Sequence, residues 1–350
     1  MVFILSLFLV LPSTSLNYDQ TVRLAFSCCC SCSVQQKTEY RTLGSIEVFD
    51  PALGTLIDTM AVPEILGEGY AWSEGPVWVS AHNMLLFSDI PNNAIMKWTE
   101  REGVVEYLKP AGYTGSEPFS GTEGGSNGLL INSDGKLVLC QHGDRRVAVM
   151  EAPLDQPSAS FRTLADRYDG KRFNSPNDAA YDRNGNLYVT DPPYGLPGYV
   201  DDPGKELAFQ GVYLVKADGT VKLLVDSLTR PNGIGLSPDE KTLYVANSDG
   251  PVAKWYAFDV AGDSLTNARI FYSTNFKEEE PGAPDGLKVS VSGHIFATGP
   301  GGVWIFSPEG KALGRIRIPE ATANCAFSPD EQFLFTTSDM YLLRIRLKKG

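Results

Sequence analysis

Six oxygen-bearing side chains recur along the sequence: Glu74, Asn127, Asn177, Asn232, Asp285 and Asn324. Successive gaps are 53, 50, 55, 53 and 39 residues. Two of the six are carboxylates and four are amides; none is a thiolate or an imidazole. An oxygen-only set suits a hard divalent cation, calcium foremost, then magnesium or manganese. Two carboxylates would neutralise the charge, and amide carbonyls would complete the shell. Without a cation, converging carboxylates repel and one takes up a proton. The competing reading is that these are turn residues, because Asn and Asp before a strand bond their own backbone. That reading is preferred for Asn127, which is also a candidate substrate contact, and for Asn324. It fails for Glu74, since Glu is a poor turn former.

Each of these residues heads the same local pattern: an alternating apolar strand, a polar turn, then a second strand. The stretches are SEGPVWVSAHNMLLFSD, SNGLLINSDGKLVLCQH, PNDAAYDRNGNLYVTD, RPNGIGLSPDEKTLYVANSD, PDGLKVSVSGHIFATG and ANCAFSPDEQFLFTTSD. Between them lie third-strand candidates: AIMKWTE, VAVMEA, GVYLVKA, AKWYAFDV and GGVWIFSP. A period near 50 with several short strands per unit is the mark of a β-propeller. The expected fold is all-β: a six-bladed β-propeller over residues 41–350, closed by pairing of N- and C-terminal strands. The sixth repeat is one strand short, and SIEVFD (45–50) is expected to supply it, removing exposed sheet edges. In this geometry the six lead residues face one another around the central channel.

Composition agrees. Of 350 residues, 43% are hydrophobic, enough for a sizeable core. The formal net charge of −12 repels phosphate backbones and anionic lipid headgroups, so nucleic acid and a membrane surface are not expected partners. Oligomeric state is not legible. Residues 1–40 form a separate N-terminal extension in this reading. Its apolar run 2–11 is of signal-peptide length and too short to span a bilayer. Residues 1–16 read either as a secretory signal, which would make the protein secreted, or as part of an upstream extension of a cytoplasmic protein. Cys28, Cys29, Cys30 and Cys32 lack zinc-site spacing, and Cys140 and Cys325 read as small buried hydrophobes.

Further candidates lie just past the second strands, at the same channel end. His142 in CQHGDRR is a candidate hydrogen-bonder or proton carrier, and Arg172 in KRFNSPND a candidate clamp on a substrate oxygen. Tyr194 in TDPPYGL is a candidate pocket wall. His82 and His294 fall in turns. The stretches 112–125 and 195–210 are candidate lids that set selectivity. There is no Gly-x-Ser-x-Gly elbow and no Walker loop.

These motifs (SEGPVW, SNGL, CQHGDRRV, NSPND, YVTDPPYGL, RPNGIGLSPDEKTLYVA, PDGLKV), in order over residues 70–340, resemble the gluconolactonase, regucalcin and luciferin-regenerating-enzyme superfamily, nearest its microbial and fungal gluconolactonase-like branch. The resemblance implies a six-bladed propeller with one axial divalent cation, often calcium, with zinc a further alternative. It implies Glu74, Asn232 and Asp285 as metal ligands, Asn177 as a ligand or substrate contact, and Asp285 as acid/base. The expected activity is a lactonase, a carboxylic ester hydrolase acting on sugar or related lactones. The alternatives are a non-catalytic calcium-binding regulator and another esterase-type or condensing chemistry on the same fold.

Overall fold

The computed structural model describes residues 39–348, and the cysteine cluster and the apolar leader lie outside them. Six antiparallel sheets stand around one axis. The innermost strands are Ser73–Val79, Ser126–Ile131, Ala179–Tyr181, Pro231–Leu236, Leu287–Val289 and Thr322–Phe327, one per blade. Each pairs with the strand that follows it. In the fourth blade Leu236 faces Leu243 and Ile234 faces Val245, across the Ser237–Glu240 turn. The anticipated third strands are present as Ala94–Thr99, Arg146–Met150, Gly211–Val215, Ala253–Ala261 and Gly302–Phe306.

The core is not one mass but six, each wedged between neighbouring blades. Period-2 alternation explains this. In strand Leu137–Gln141, Leu137 and Leu139 pack toward the first blade, while Val138 and Cys140 pack toward the third. Both faces of such a strand are apolar because both are covered. Cys140 and Cys325 are fully buried in these seams.

Ring closure joins the two ends of the described chain, but not through the segment expected. The outer strand of the sixth blade is Glu64–Glu68, paired with Tyr341–Arg346. Ser45–Val48 instead adds a fifth strand to the fifth blade, against Ala312–Arg317. Side chains explain the choice. Glu47 meets Arg315 at 2.6 Å, and Glu64 meets Arg344 at 2.6 Å. Between the two strands, a short 3₁₀ turn at Pro51–Thr55 sends Leu53 and then Ile57, both fully buried, into the seam between blades five and six. The N-terminal segment thus fastens two blades in succession. Among the described residues, no helix is long and apolar enough to cross a membrane.

Candidate functional site

The six lead residues stand at one end of the innermost strands, and two local devices hold them there. The first is a break in register. Pairing slips between Glu74 and Val77, Ser126 and Leu129, Pro231 and Ile234, and Thr322 and Asn324. Such irregularities re-aim a side chain out of the sheet's alternation. The second is a polar residue ending the second strand, which binds the backbone just ahead of the lead residue. Asp89 Oδ1 accepts from Ala71 N and Trp72 N, three and two residues before Glu74. Asp191 accepts from Asn174 N at 2.8 Å and Ser175 N at 2.7 Å, ahead of Asn177. Asn247 Oδ1 accepts from Arg230 N at 2.8 Å, ahead of Asn232.

Adjacent blades touch at the axis through backbone. Gly128 N donates to Asn177 O at 2.8 Å, and Gly233 N to Asp285 O at 3.0 Å. A Cβ at Gly75 would lie 2.0 Å from Asn127 O, and one at Gly233 would lie 2.1 Å from Asp285 O. The glycine after the lead residue in EGP, SNG, PNG and PDG is therefore an axial packing requirement. Hydroxyls complete the lacing: Ser88 Oγ donates to Asn127 O and Thr190 Oγ1 to Asn232 O.

The ring sorts into two sets. Asn127 Oδ1, Asn177 Oδ1, Asn232 Oδ1 and Asp285 Oδ1 are all closed off from solvent and have no hydrogen-bond partner. A buried polar oxygen left unpaired costs about 1–3 kcal/mol, so four on one ring point to an absent partner. Asn324 is different: its Oδ1 accepts from Cys325 N and from Lys288 Nζ, so it is internally satisfied. Glu74 is 1% exposed and accepts from its neighbour Gly75 N. Burial pushes the Glu74 carboxyl above its usual range, and Asp178 adds to this. Burial likewise raises Asp285, with Glu74 as the next cause, through both charge and direct contact. Two carboxyls that resist ionisation and four unpaired oxygens fit a hard divalent cation. Among the described residues no group of three or more His, Cys, Asp or Glu side chains is placed to hold a metal ion, so a cation at this ring would draw on the amides as well.

Below the ring the channel is filled. Lys288 Nζ lies 3.6 Å from Asp178 Oδ2. Beyond it, a cavity of about 530 Å³ opens at the opposite end, lined from all six blades by Val77, Leu129, Tyr181, Leu236, Val289 and Phe327.

Above the ring the remaining candidates separate. Tyr194 lies beside Asp285 and Ser248, and burial raises its phenol. Ser248 Oγ accepts from Asn232 Nδ2 at 2.9 Å and donates to Pro284 O, tying Asn232 to the residue before Asp285. His142 is fully buried, and neither ring nitrogen has a hydrogen-bond partner. Arg172 is not brought to the ring by any contact: its guanidinium donates to Asp144 O at 3.0 Å, bracing the turn that carries His142. His82 is exposed in its turn and His294 half-buried in its own. Sequence reasoning passed over Asp178, Ser248, Lys288 and Glu123. Asp178 stood in plain view beside Asn177; the other three carry no repeat signal.

The family model described as SMP-30/Gluconolactonase/LRE-like region matches residues 72–340. The chain belongs to this family. A gluconolactonase of Zymomonas mobilis is 40% identical over 316 residues, covering 88% of this chain and 87% of its own. Bos taurus regucalcin, another relative of this SMP-30/gluconolactonase-family chain, is 25% identical over 283 residues, covering 79% of this chain and 84% of its own. Among solved structures, a gluconolactonase from Xanthomonas campestris superposes with a TM-score of 0.76 at 30% identity, covering 90% of this chain and 99% of that one. A calcium-binding regucalcin from Agrobacterium tumefaciens shares the family fold, with a TM-score of 0.63 at 19% identity over 82% of this chain and 94% of that one.

Proposed function

We propose that this protein is a divalent-cation-dependent lactone hydrolase of the gluconolactonase type. The observation that carries the reading is the set of four buried, unpartnered oxygens on Asn127, Asn177, Asn232 and Asp285, beside a Glu74 carboxyl that burial disfavours as an anion. Glu74, Asn177, Asn232 and Asp285 hold the cation, calcium foremost. When bound, it supplies Lewis acidity toward the lactone carbonyl and stabilises the charge that develops on its oxygen. Glu74 balances charge. Ser248 orients the Asn232 amide by accepting from its Nδ2, which leaves Oδ1 free to face the axis.

Asp285 acts as general base and acid. It takes a proton from the attacking water as the water oxygen bonds to the carbonyl carbon. As the ring carbon–oxygen bond breaks, it returns that proton to the departing ring oxygen, giving the open hydroxy acid. Asn127 and Tyr194 contact the substrate from the ring and the wall above it. The 40% identity to the Zymomonas gluconolactonase supports the substrate class. Acid release from glucono-1,5-lactone, measured with calcium and after chelation, tests the reading. Turnover that survives complete chelation would remove the cation from it; calcium binding without turnover on any lactone would leave a binding protein.

A further inference from the structure

We propose that Glu123 and His142 form the subsite that recognises a hydroxyl group of the lactone, and so set the preference for polyhydroxylated over plain lactones. The inference rests on the lactonase reading and adds a specificity-determining pair to it.

His142 Nδ1 lies 3.4 Å from Glu123 Oε2. The imidazole is fully buried, yet both its nitrogens lack a hydrogen-bond partner. Buried imidazole nitrogens are normally paired, so this ring waits for one. His142 abuts the Tyr194 wall, because a Cβ at Gly195 would lie 2.7 Å from His142 Cβ and 2.8 Å from Ser175 Cβ. The pair is therefore a polar corner set against the reacting end of the site.

Its placement is firm. Glu123 sits in the connection between blades one and two, and His142 in the turn after the second strand of blade two. His142 N donates to Gly125 O at 3.1 Å, and Gly125 N to Ile90 O at 3.0 Å. A Cβ at Gly143 would lie 2.5 Å from Tyr113 Cβ and 2.6 Å from Gly124 O, so turn and connection are pressed together. Thr114 Oγ1 donates to Asp144 Oδ2 at 2.7 Å, closing the same seam. A hydroxyl set against the pair would donate its proton to Glu123 and accept from an imidazole N–H. A methylene in that position would leave the buried imidazole unpaired and give the Glu123 carboxylate no donor, which is how a hydrogen-bonding site rejects an analogue lacking the hydroxyl.

The test is the ratio of kcat/KM for glucono-1,5-lactone to that for δ-valerolactone, in the wild type and in Glu123→Ala and Glu123→Gln. The ratio should fall about 10- to 150-fold in Glu123→Ala, the value of one hydrogen bond to a charged group, and less in Glu123→Gln. An unchanged ratio, including one in which both lactones slow equally, overturns the proposal. Calorimetric titration with D-gluconate gives a readout independent of turnover. Affinity should drop by a similar factor in Glu123→Ala, and equal affinity overturns the proposal even if the protein hydrolyses no lactone. Glu123 is half-exposed on its loop, so its replacement avoids the folding risk of altering buried His142.

Discussion

Asn324 Nδ2, from the sixth blade, donates to Asp178 Oδ2, from the third, at 3.3 Å. These blades stand opposite each other, so the channel at this level is no wider than one hydrogen bond. Lys288 Nζ meets both partners, Asn324 Oδ1 at 3.2 Å and Asp178 Oδ2 at 3.6 Å. The ammonium compensates a carboxylate that is 2% exposed.

Lys288→Met should therefore destabilise the protein by about 1–3 kcal/mol, read from urea midpoints. A fully buried pair would lose about 3–5 kcal/mol on removal of one partner. The lysine side chain keeps 30% exposure, so solvent screens part of the loss. The double variant Asp178→Asn, Lys288→Met should recover most of it. A double variant weaker than both singles would contradict the pairing.

Asp285→Asn removes the proposed proton carrier and, with it, a carboxyl that opposes Glu74. Turnover should drop roughly 10²- to 10⁴-fold. In chelator, the variant should melt no lower than the wild type, because the repelling and desolvated charge is gone. Retained turnover would end the assigned role, and a lowered melting point in chelator would contradict the electrostatic account.

Glu74→Gln should weaken the cation before it weakens the fold. With calcium at 100 times the wild-type Kd, the cation stabilises the wild type by about 2.7 kcal/mol. A tenfold weaker site at the same concentration gives about 1.4 kcal/mol. Thermal shifts across a calcium series measure the difference; identical shifts would remove Glu74 from the shell.

Asp191 gives a pH signature. Burial raises its carboxyl from 3.8 to about 7 in the folded protein. Between these values the folded state binds more protons than the unfolded one, so stability falls as pH rises. The contribution is complete below about pH 4 and is lost as pH rises through about 7. Asp191→Asn should flatten this part of the stability profile in chelator. It should also loosen the Asn177 loop, since Asn174 N and Ser175 N bind different oxygens of Asp191 and an Asn side chain offers only one. An unaltered slope would show that another group titrates there.

Gly233→Ala should cost more than Gly185→Ala. A Cβ at Gly233 would sit 2.1 Å from Asp285 O, between two blades, and backbone must move. Gly185 has open space around it and only its φ of +79° to resist a side chain, about 1 kcal/mol of strain. Comparable melting points for the two variants would mean that the axial contact is soft.

Much of this was legible in the chain. Six lead residues at near-regular spacing announced six blades, because each unit must repeat the same hairpin against its neighbours. The closing strand was misread, since SIEVFD shows a clearer alternation than EILGE. The choice between them rests on Arg344 and Arg315, nearly 300 residues away, and on Leu53 and Ile57 filling the seam between them. Asn127 and Asn324 look alike in sequence, and both were read as turn formers. Structure separates them: Lys288, on another blade, satisfies one and leaves the other's oxygen bare. Glu123 sits outside the repeated hairpins, and Ser248, at the end of the fourth, has no serine at the matching place in the others.

The pairing of Glu64 with Arg344 spans 280 positions of the chain. The strand holding Glu64 leaves the ribosome early and must wait for almost all the rest before it finds its place. Until it does, the sixth blade lacks its outer strand. A chain truncated before Tyr341 would leave the Glu64–Glu68 strand without its partner, the ring open and the proposed cation site incomplete.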